Sequence, residues 1–383
     1  MVRLAALLVA FASAAAFADE AAPGSSRPEG HAICEIAGTA VVADASGTEP
    51  ASIALQRCID LAPSPWVIPR GEYRVDASLT IRRPLKIVAP GVVWRAAPDL
   101  RGIERAHGMV YAAYRKGIEL HGLTLDGNGA ERRAKGPAFC DGTAAAANGV
   151  NIHLDHVDDV VLDGFTTRNA VCGSGMNMLG NDARIVRSTF RDNGTQAQPR
   201  MWADGLTLLE CARCLVADNA FIDNSDVSFI FGGGRATRVA DNRIVQAVPT
   251  FAALMLDNFN GTRHGDFVGT TIENNTIDCG DRQCDFGINL GPHAWYLSGY
   301  ILGGTVANNM VRGAKIGIIA QGAGTAEHPV EVRGNTVSSP VPDGTRVRFM
   351  CGRRSAHTRL RSADSHLKVD DAPWTVGDHK QCP

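Results

Sequence analysis

From about residue 118 onward, the chain repeats a phrase in which an aliphatic residue precedes a small polar residue by three positions, with another hydrophobic residue two positions later. The instances are IELHGL, VVLDGF, IVRSTF, VADNAF, VADNRI, IENNTI, VANNMV and VRGNTV. The polar position is occupied in turn by His121, Asp163, Ser188, Asn219, Asn242, Asn275, Asn309 and Asn335. Asparagines that recur at one structural position predict a ladder, in which side-chain amides hydrogen-bond from one repeat to the next inside a turn.

A second phrase follows each first one, as NGVNIHL, GSGMNML, ADGLTLL, SDVSFIF, AALMLD, FGINLG and IGIIAQ. Successive copies lie 22 to 34 residues apart, which places insertions in loops while the strands stay in register. Alternation along each strand predicts an inward set: Val150, Met176, Leu206, Ser228, Leu254, Ile288 and Ile318. It predicts an outward set: Asn151, Asn177, Thr207, Phe229, Met255, Asn289 and Ile319.

Short strands in irregular repeats, without a long helical period, predict an all-β fold, a single-stranded right-handed parallel β-helix over residues 49–340. The open end of such a solenoid needs a cap, because it exposes unpaired backbone and an apolar interior. Residues 49–62 carry Ile53, Leu55, Cys58, Ile59 and Leu61 at near-helical spacing, and we expect them to form an amphipathic N-terminal cap helix. Residues 19–48 are then an N-terminal extension, and residues 341–383, which lose the repeat, a C-terminal capping tail.

Residues 1–18 have the order of a secretory signal peptide, with Arg3, an apolar run and small residues before Asp19. No later segment has the roughly 20 consecutive apolar residues of a transmembrane helix. We therefore expect an exported protein, periplasmic or extracellular, without membrane insertion after signal removal. A formal net charge of -2 provides no positive field that would attract nucleic acid.

Ten cysteines, an even number, fit an oxidising compartment. Proximity in sequence predicts three local disulfides: Cys211–Cys214, Cys279–Cys284 and Cys351–Cys382. The CxxC at Cys211 is also compatible with zinc, but the chain has no second CxxC and no suitably spaced pair of histidines. We therefore expect no metal cofactor.

The repeats resemble those of the pectin-lyase-like β-helix proteins, which include polygalacturonases, pectate and alginate lyases and mannuronan epimerases. The resemblance covers roughly residues 50 to 340 and implies that a polysaccharide or oligosaccharide binds along the outer face of one parallel sheet. The second phrase is our candidate for that sheet. Its candidate substrate-binding residues are Asn151, His153, Asn177, Arg200, Trp202, Thr207, Asn289, Trp295 and Tyr296. Calcium is common among the lyases, although no acidic cluster in this sequence specifies it.

The segments WADGLTLL and NSDVSFIFGGG resemble the two aspartate segments of the polygalacturonases, whose three aspartates act together in inverting hydrolysis. The match places Asp204 and Asp226, 22 residues apart, on adjacent coils. Strands about 4.8 Å apart would bring the two carboxylates into the range of about 5 to 9.5 Å used by glycosidases. The sequence departs from the family at Trp202, Ala203 and Ser225, which replace Asn, Thr and an aspartate, and it lacks the family's His, Arg and Lys.

Simple alternation points Asp204 inward with Leu206 and Leu208, unless Asp204 lies on the corner before the strand. A corner aspartate commonly accepts backbone N–H bonds and does no chemistry, which is the structural alternative for this residue. Whether Asp204 can act in catalysis therefore depends on the direction of its side chain.

The segment NLGPHAWY resembles the Asp-Pro-His segment of the mannuronan epimerases, with Gly291 in place of aspartate. It implies uronate lyase or C5-epimerase chemistry, with His293 or Tyr296 as the base and Arg200 neutralising the uronate. Asp257 is a further candidate catalytic carboxylate on the same sheet. A third alternative is a non-catalytic polysaccharide-binding or structural β-helix, which requires polar outer columns but no carboxylate with a shifted pKa. The sequence favours cleavage of glycosidic bonds over these alternatives.

Overall fold

The computed structural model describes residues 30–101, 108–134, 149–198, 200–258, 265–292, 299–338 and 367–369 of the chain. The described residues form a right-handed parallel β-helix, as the repeats predict. Two helices, α1 (Ser52–Leu61) and α2 (Gly129–Ala134), accompany the strands. An antiparallel hairpin of β1 (His31–Ile36) and β2 (Thr39–Ala43) precedes the solenoid. The other paired strands of the described residues are parallel, and all but one short pair of them stack in three sheets, A, B and C.

Three long strands bend through corners and contribute to more than one sheet: β7 (Leu85–Arg101), β8 (Val110–Asp126) and β9 (Ile152–Asp163). Sheet A continues with β6 (Leu79–Thr80), β11 (Gly173–Leu179), β14 (Ala203–Glu210), β17 (Val227–Phe231), β20 (Thr250–Leu256), β24 (Cys284–Leu290) and β28 (Ile316–Ala320). Sheet B continues with β4 (Trp66–Val67), β12 (Arg184–Val186), β15 (Leu215–Ala217), β18 (Arg238–Ala240), β22 (Thr271–Glu273), β26 (Thr305–Ala307), β29 (Val330–Arg333) and β31 (Leu367–Val369). Sheet C continues with β3 (Ser46–Pro50), β5 (Gly71–Ala77), β10 (Thr166–Arg168), β13 (Thr189–Arg191), β16 (Ala220–Ile222), β19 (Arg243–Val245), β23 (Thr276–Asp278), β27 (Met310–Arg312) and β30 (Thr336–Ser338). A short parallel pair, β21 (Gly265–Asp266) and β25 (Ile301–Leu302), lies apart from these sheets.

The turn between sheets B and C contains the predicted asparagine ladder. Asn219, Asn242, Asn275, Asn309 and Asn335 are all buried. The Nδ2 of Asn219 donates to Asn242 Oδ1 at 3.0 Å and to the Ile185 carbonyl on the preceding coil at 2.9 Å. Each later amide as far as Asn309 repeats this pattern. These bonds satisfy polar groups that would otherwise be orphaned inside the turn.

The first two predicted members of this polar column do not belong to the ladder. His121 aligns with Asp163 in sheet B, and Asp163 aligns with Val186 rather than with Ser188. Ser188 is the true first rung, because its backbone N–H donates to Asn219 Oδ1 at 2.8 Å.

Helix α1 covers the N-terminal end of the core through Leu55, Cys58 and Ile59. Ile53 and Leu61, predicted to share the apolar face, are instead 89% and 60% exposed. A disulfide from Cys34 to Cys58, which proximity in sequence did not indicate, ties the β1–β2 hairpin to this helix.

The structure confirms the disulfides Cys211–Cys214 and Cys279–Cys284. The predicted pair Cys351–Cys382 and the predicted signal peptide lie outside the described residues. Within the predicted capping tail, β31 adds one more parallel strand to sheet B. None of the described helices is long and apolar enough to span a membrane.

Candidate active site

Strand β14 turns two consecutive residues inward, and this break in alternation decides where Asp204 points. Leu206 lies in the core, and a Cβ added to Gly205 would lie 2.8 Å from Nδ2 of the buried Asn224. The residue before this inward pair, Asp204, therefore faces outward on the same side as Thr207. The same inward pair recurs on later coils as Ala253 with Leu254 and Gly287 with Ile288.

The outer face of sheet A carries two columns of side chains in register. The first outer column is Ser174, Asp204, Val227, Ala252, Phe286 and Ile316. The second outer column is Tyr111, His153, Asn177, Thr207, Ile230, Met255, Asn289 and Ile319. The second outer column is polar or aromatic as far as β14, and both columns are predominantly apolar beyond it. The Asp204 coil is therefore the boundary between two kinds of surface.

Three hydrogen bonds hold the Asp204 carboxylate. Its Oδ2 accepts the Thr207 hydroxyl at 2.8 Å and the Ser174 hydroxyl at 3.4 Å, and these two hydroxyls lie 2.9 Å apart. Its Oδ1 accepts the backbone N–H of Val227 on the next coil at 3.1 Å. The side chain is half-buried and reaches toward the peptide that joins Asp226 to Val227.

Asp226 lies on the next coil and is also half-buried. Its backbone N–H donates to the Ala203 carbonyl at 3.2 Å, and its carbonyl accepts the N–H of Phe251 at 2.8 Å. Burial raises the pKa of Asp226 to about 6. Burial, together with the charge of Asp226, raises the pKa of Asp204 well above its usual range. Environments that separate the pKa values of two neighbouring carboxyls provide an acid and a base from one residue type.

A short hairpin loop precedes β14 and lies beside this pair. Its ends meet where Thr195 and Met201 exchange backbone hydrogen bonds of 2.6 and 3.1 Å. The Gln196 amide donates to the Ser225 carbonyl at 2.7 Å and to the Pro249 carbonyl, one coil farther, at 2.6 Å. Trp202 follows the loop and is 58% exposed. The loop is thus fixed to two coils on the C-terminal side of Asp204.

Ser225 directly precedes Asp226 in the chain, and Arg200 lies in the loop four residues before Asp204. The Ser225 hydroxyl donates to the Met201 carbonyl and accepts the Ala203 N–H, each at 3.1 Å. Where the resemblance to polygalacturonases would place a third aspartate, the chain therefore has a buried hydroxyl that braces the loop. Arg200 is exposed in that loop.

Two predictions for the outer face are wrong. Asn151 points inward and is fully buried, with its amide donating to the Thr167 hydroxyl at 2.9 Å and the Arg168 carbonyl at 2.8 Å. Phe229 aligns with Leu206 and packs in the core. Both errors arise from register, because a shift of one residue in the alignment of neighbouring strands moves a side chain to the other face of the sheet.

The other predicted binding residues of sheet A do lie in the second outer column. His153 and Asn177 are half-buried, whereas Thr207 is only 4% exposed and bonds to Asp204. Asn289 is fully buried, and its amide donates to the Gly291 carbonyl at 3.1 Å. His293, Trp295 and Tyr296 lie outside the described residues.

Asp257 does not converge with the aspartate pair. Asp257 follows Met255, the residue of its strand in the second outer column, by two positions. Asp204 precedes Thr207, the corresponding residue of β14, by three positions. At about 3.3 Å per residue, this difference separates them by about 16 Å along the strands. Asp257 is 2% exposed, and burial raises its pKa to about 6. Its Oδ1 accepts the N–H of Asn258 at 2.6 Å.

Sequence reasoning missed Ser174 and Gln196, which respectively orient Asp204 and fix the loop beside it. The signal for Ser174 was the small residue that follows it, since Gly175 and Gly205 occupy the same inward position. Within the described ranges, no group of His, Cys, Asp and Glu side chains is arranged to hold a metal ion.

Two solved structures share this architecture at low sequence identity. A family 28 exopolygalacturonase from Yersinia enterocolitica superposes with a TM-score of 0.51 and 13% identity, over 80% of this chain and 66% of that chain. The A-module of a mannuronan C-5 epimerase from Azotobacter vinelandii superposes with a TM-score of 0.52 and 14% identity, over 80% of this chain and 87% of that chain. This chain thus spans just under two thirds of the Yersinia enzyme. No protein-family model and no curated protein sequence matches the chain. Identities this low are evidence for a common fold alone and say nothing about a common activity.

Proposed function

We propose that this pectin-lyase-like parallel β-helix protein hydrolyses glycosidic bonds of a polysaccharide, with Asp204 and Asp226 as the catalytic pair. One observation carries the proposal: Asp204 faces outward beside the inward pair of β14 and accepts the backbone N–H of Val227, next to Asp226, whose charge adds to burial in raising the pKa of Asp204. Burial also raises the pKa of Asp226. An aspartate that only closed a turn would need neither an outward direction nor a second carboxyl beside it.

The two carboxyls divide the roles of acid and base. We assign Asp204 as the acid, because burial and the charge of Asp226 raise its pKa well above the usual range, and Asp226 as the base, because a pKa of about 6 leaves it largely ionised at neutral pH. Asp226 takes a proton from a water molecule, whose oxygen bonds to the anomeric carbon as the glycosidic bond breaks. The leaving oxygen takes the proton of Asp204. One water is consumed for each bond cleaved, and proton exchange with solvent restores the pair.

Neighbouring side chains suit a carbohydrate. His153 and Asn177 present hydrogen-bonding groups on the outer face, and exposed Trp202 offers a stacking surface next to Asp204. We infer export to the periplasm or the cell exterior, because the disulfides Cys34–Cys58, Cys211–Cys214 and Cys279–Cys284 favour an oxidising compartment.

The test is a product assay on polygalacturonate, alginate, xylan and galactan. We expect new reducing ends from at least one polymer, without the absorbance of an unsaturated sugar. Asp204→Asn and Asp226→Asn should each lower kcat by about 10²- to 10⁴-fold, the usual contribution of acid–base catalysis. The matched control is Asp218→Asn. Asp218 is exposed in a left-handed turn between sheets B and C, where asparagine is well tolerated.

Other products would contradict hydrolysis in distinct ways. Reducing ends accompanied by an unsaturated product would identify a lyase, and altered configuration at C5 without cleavage would identify an epimerase. Binding of one or more polymers with turnover of none of them would support the non-catalytic alternative.

A further inference from the structure

The second outer column changes abruptly in exposure at the aspartate pair. Tyr111, His153 and Asn177, on the N-terminal side, are partly open to solvent. On the C-terminal side, Ile230 is 5% exposed, and Met255 is fully buried. Asn289 and Ile319 continue the column and are likewise fully buried. The side chains of this column are therefore open to solvent in one direction along the solenoid axis only.

The first outer column shows the same boundary in its chemistry. Ser174 and Asp204 are followed by Val227, Ala252 and Phe286, which pack with the buried part of the second outer column in one apolar cluster. Apolar side chains offer no hydrogen bonds to sugar hydroxyls, and removing those hydroxyls from water without new partners is costly. Because these side chains are also buried, the outer face of sheet A beyond Asp226 offers a polar chain neither open side chains nor hydrogen-bonding partners.

The hairpin loop before β14 closes the corner of the site on the same side. Gln196 fixes it to the Ser225 and Pro249 carbonyls. A Cβ at Gly194 would lie 2.7 Å from the Ala203 backbone nitrogen, so the base of the loop packs directly against β14. The loop therefore stands beside the coils that follow Asp204, where an unbroken polymer would have to pass.

We propose that the substrate enters along the N-terminal coils and ends at Asp204 and Asp226, so that the protein acts on polysaccharide chain ends rather than on internal bonds. This inference rests on the proposed function. The open side, with Tyr111, His153 and Asn177, holds the body of the chain, and Trp202 flanks its terminal units. The apolar cluster and the hairpin loop limit what can extend past the cleaved bond.

The first experiment measures binding without turnover. Asp204→Asn protein is titrated by calorimetry with size fractions of polygalacturonate, alginate, xylan and galactan. We expect, for a polymer that binds, one protein per chain at every chain length, because each chain has one end of the required polarity. A number of bound proteins that grows with chain length would show an open groove and overturn the inference. The absence of binding to all four polymers would overturn it as well.

The second experiment follows the pattern of cleavage by the wild-type chain. Attack on ends should release one product size from the earliest times, with little loss of viscosity for each reducing end formed. Substrates labelled at either end identify which end is attacked. A ladder of products at low conversion would overturn the inference and leave hydrolysis standing. One protein bound per chain without new reducing ends would instead refute hydrolysis and leave end binding standing.

A loop variant tests the closing element directly. Gln196→Ala removes both hydrogen bonds from the loop to the next two coils and leaves the aspartates in place. We expect a several-fold increase in viscosity loss for each reducing end formed. The control is Gln283→Ala, which removes a bond of 3.3 Å from Gln283 to the Asp281 carbonyl in an exposed turn, and it should leave the pattern unchanged. An unchanged pattern in Gln196→Ala would show that the loop does not limit the groove.

Discussion

Replacing Asp257 with asparagine should stabilise the protein, and more so as the pH rises. The pKa of this buried carboxyl is raised from an ordinary 3.8 to about 6, because burial disfavours its charged form. The neutral form therefore stabilises the fold fully below pH 3.8, and this contribution is lost as the pH rises through about 6. The difference between the two pKa values corresponds to about 3 kcal/mol. Asparagine cannot ionise, and its side-chain oxygen can still accept the Asn258 N–H.

The assay is urea unfolding followed by intrinsic fluorescence at pH 4, 6 and 8. We expect the free energy of unfolding of Asp257→Asn to exceed that of wild type by about 3 kcal/mol at pH 8, and by less than about 1 kcal/mol at pH 4. The surface control Asp218→Asn should change it by less than about 0.5 kcal/mol at either pH. A variant less stable than wild type at pH 8 would refute this reasoning, since it would mean that the folded state stabilises the Asp257 carboxylate. Wild-type activity of Asp257→Asn would also show that Asp257 takes no part in the catalysis proposed for Asp204 and Asp226.

Three further outcomes are expected. Asn275→Ala should lower the free energy of unfolding by about 2 to 4 kcal/mol in thermal or urea unfolding, because it removes a rung and leaves the buried backbone N–H of Asn242 without its acceptor, Asn275 Oδ1. Gly205→Ala should reduce kcat by about 100-fold with the chain still folded by circular dichroism, because its Cβ would collide with the Ser228 carbonyl and shift β14. The pH profile of kcat/KM should rise through about pH 6 as Asp226 loses its proton, and fall again at higher pH as Asp204 does.

The repeats alone were sufficient to predict the solenoid and much of its interior. Each coil repeats the same polar and apolar positions, so a wrong prediction for one coil does not change the predictions for the other coils. Met176 and Leu206 lie in the core as alternation predicts, and the asparagines from Asn219 onward form the ladder. Cys211 and Cys214 are close enough in sequence to leave little choice of partner.

The outer face was less predictable, because it depends on register to a single residue. Alternation assumes that every second residue faces the same way, and the inward pair Gly205 and Leu206 breaks that rule at the position that decides the direction of Asp204. The spacing between copies also varies, so alternation predicts the wrong face for Asn151 and Phe229. The shared small size of Gly175 and Gly205 was a usable signal, since only a small residue fits beneath the corner asparagines Asn193 and Asn224.

The asparagine ladder has a consequence for how the molecule comes apart. In a solenoid held together only by contacts between adjacent coils, the ends can fray one coil at a time. Each rung here does more, because the Asn242 side chain donates both to the Val216 carbonyl on the coil before it and to Asn275 on the coil after it. Coils that do not touch each other are thereby coupled through a shared amide. Loss of a terminal coil leaves its neighbour with an unpaired buried group, so the laddered part of the chain should open in blocks and exchange its amide hydrogens together.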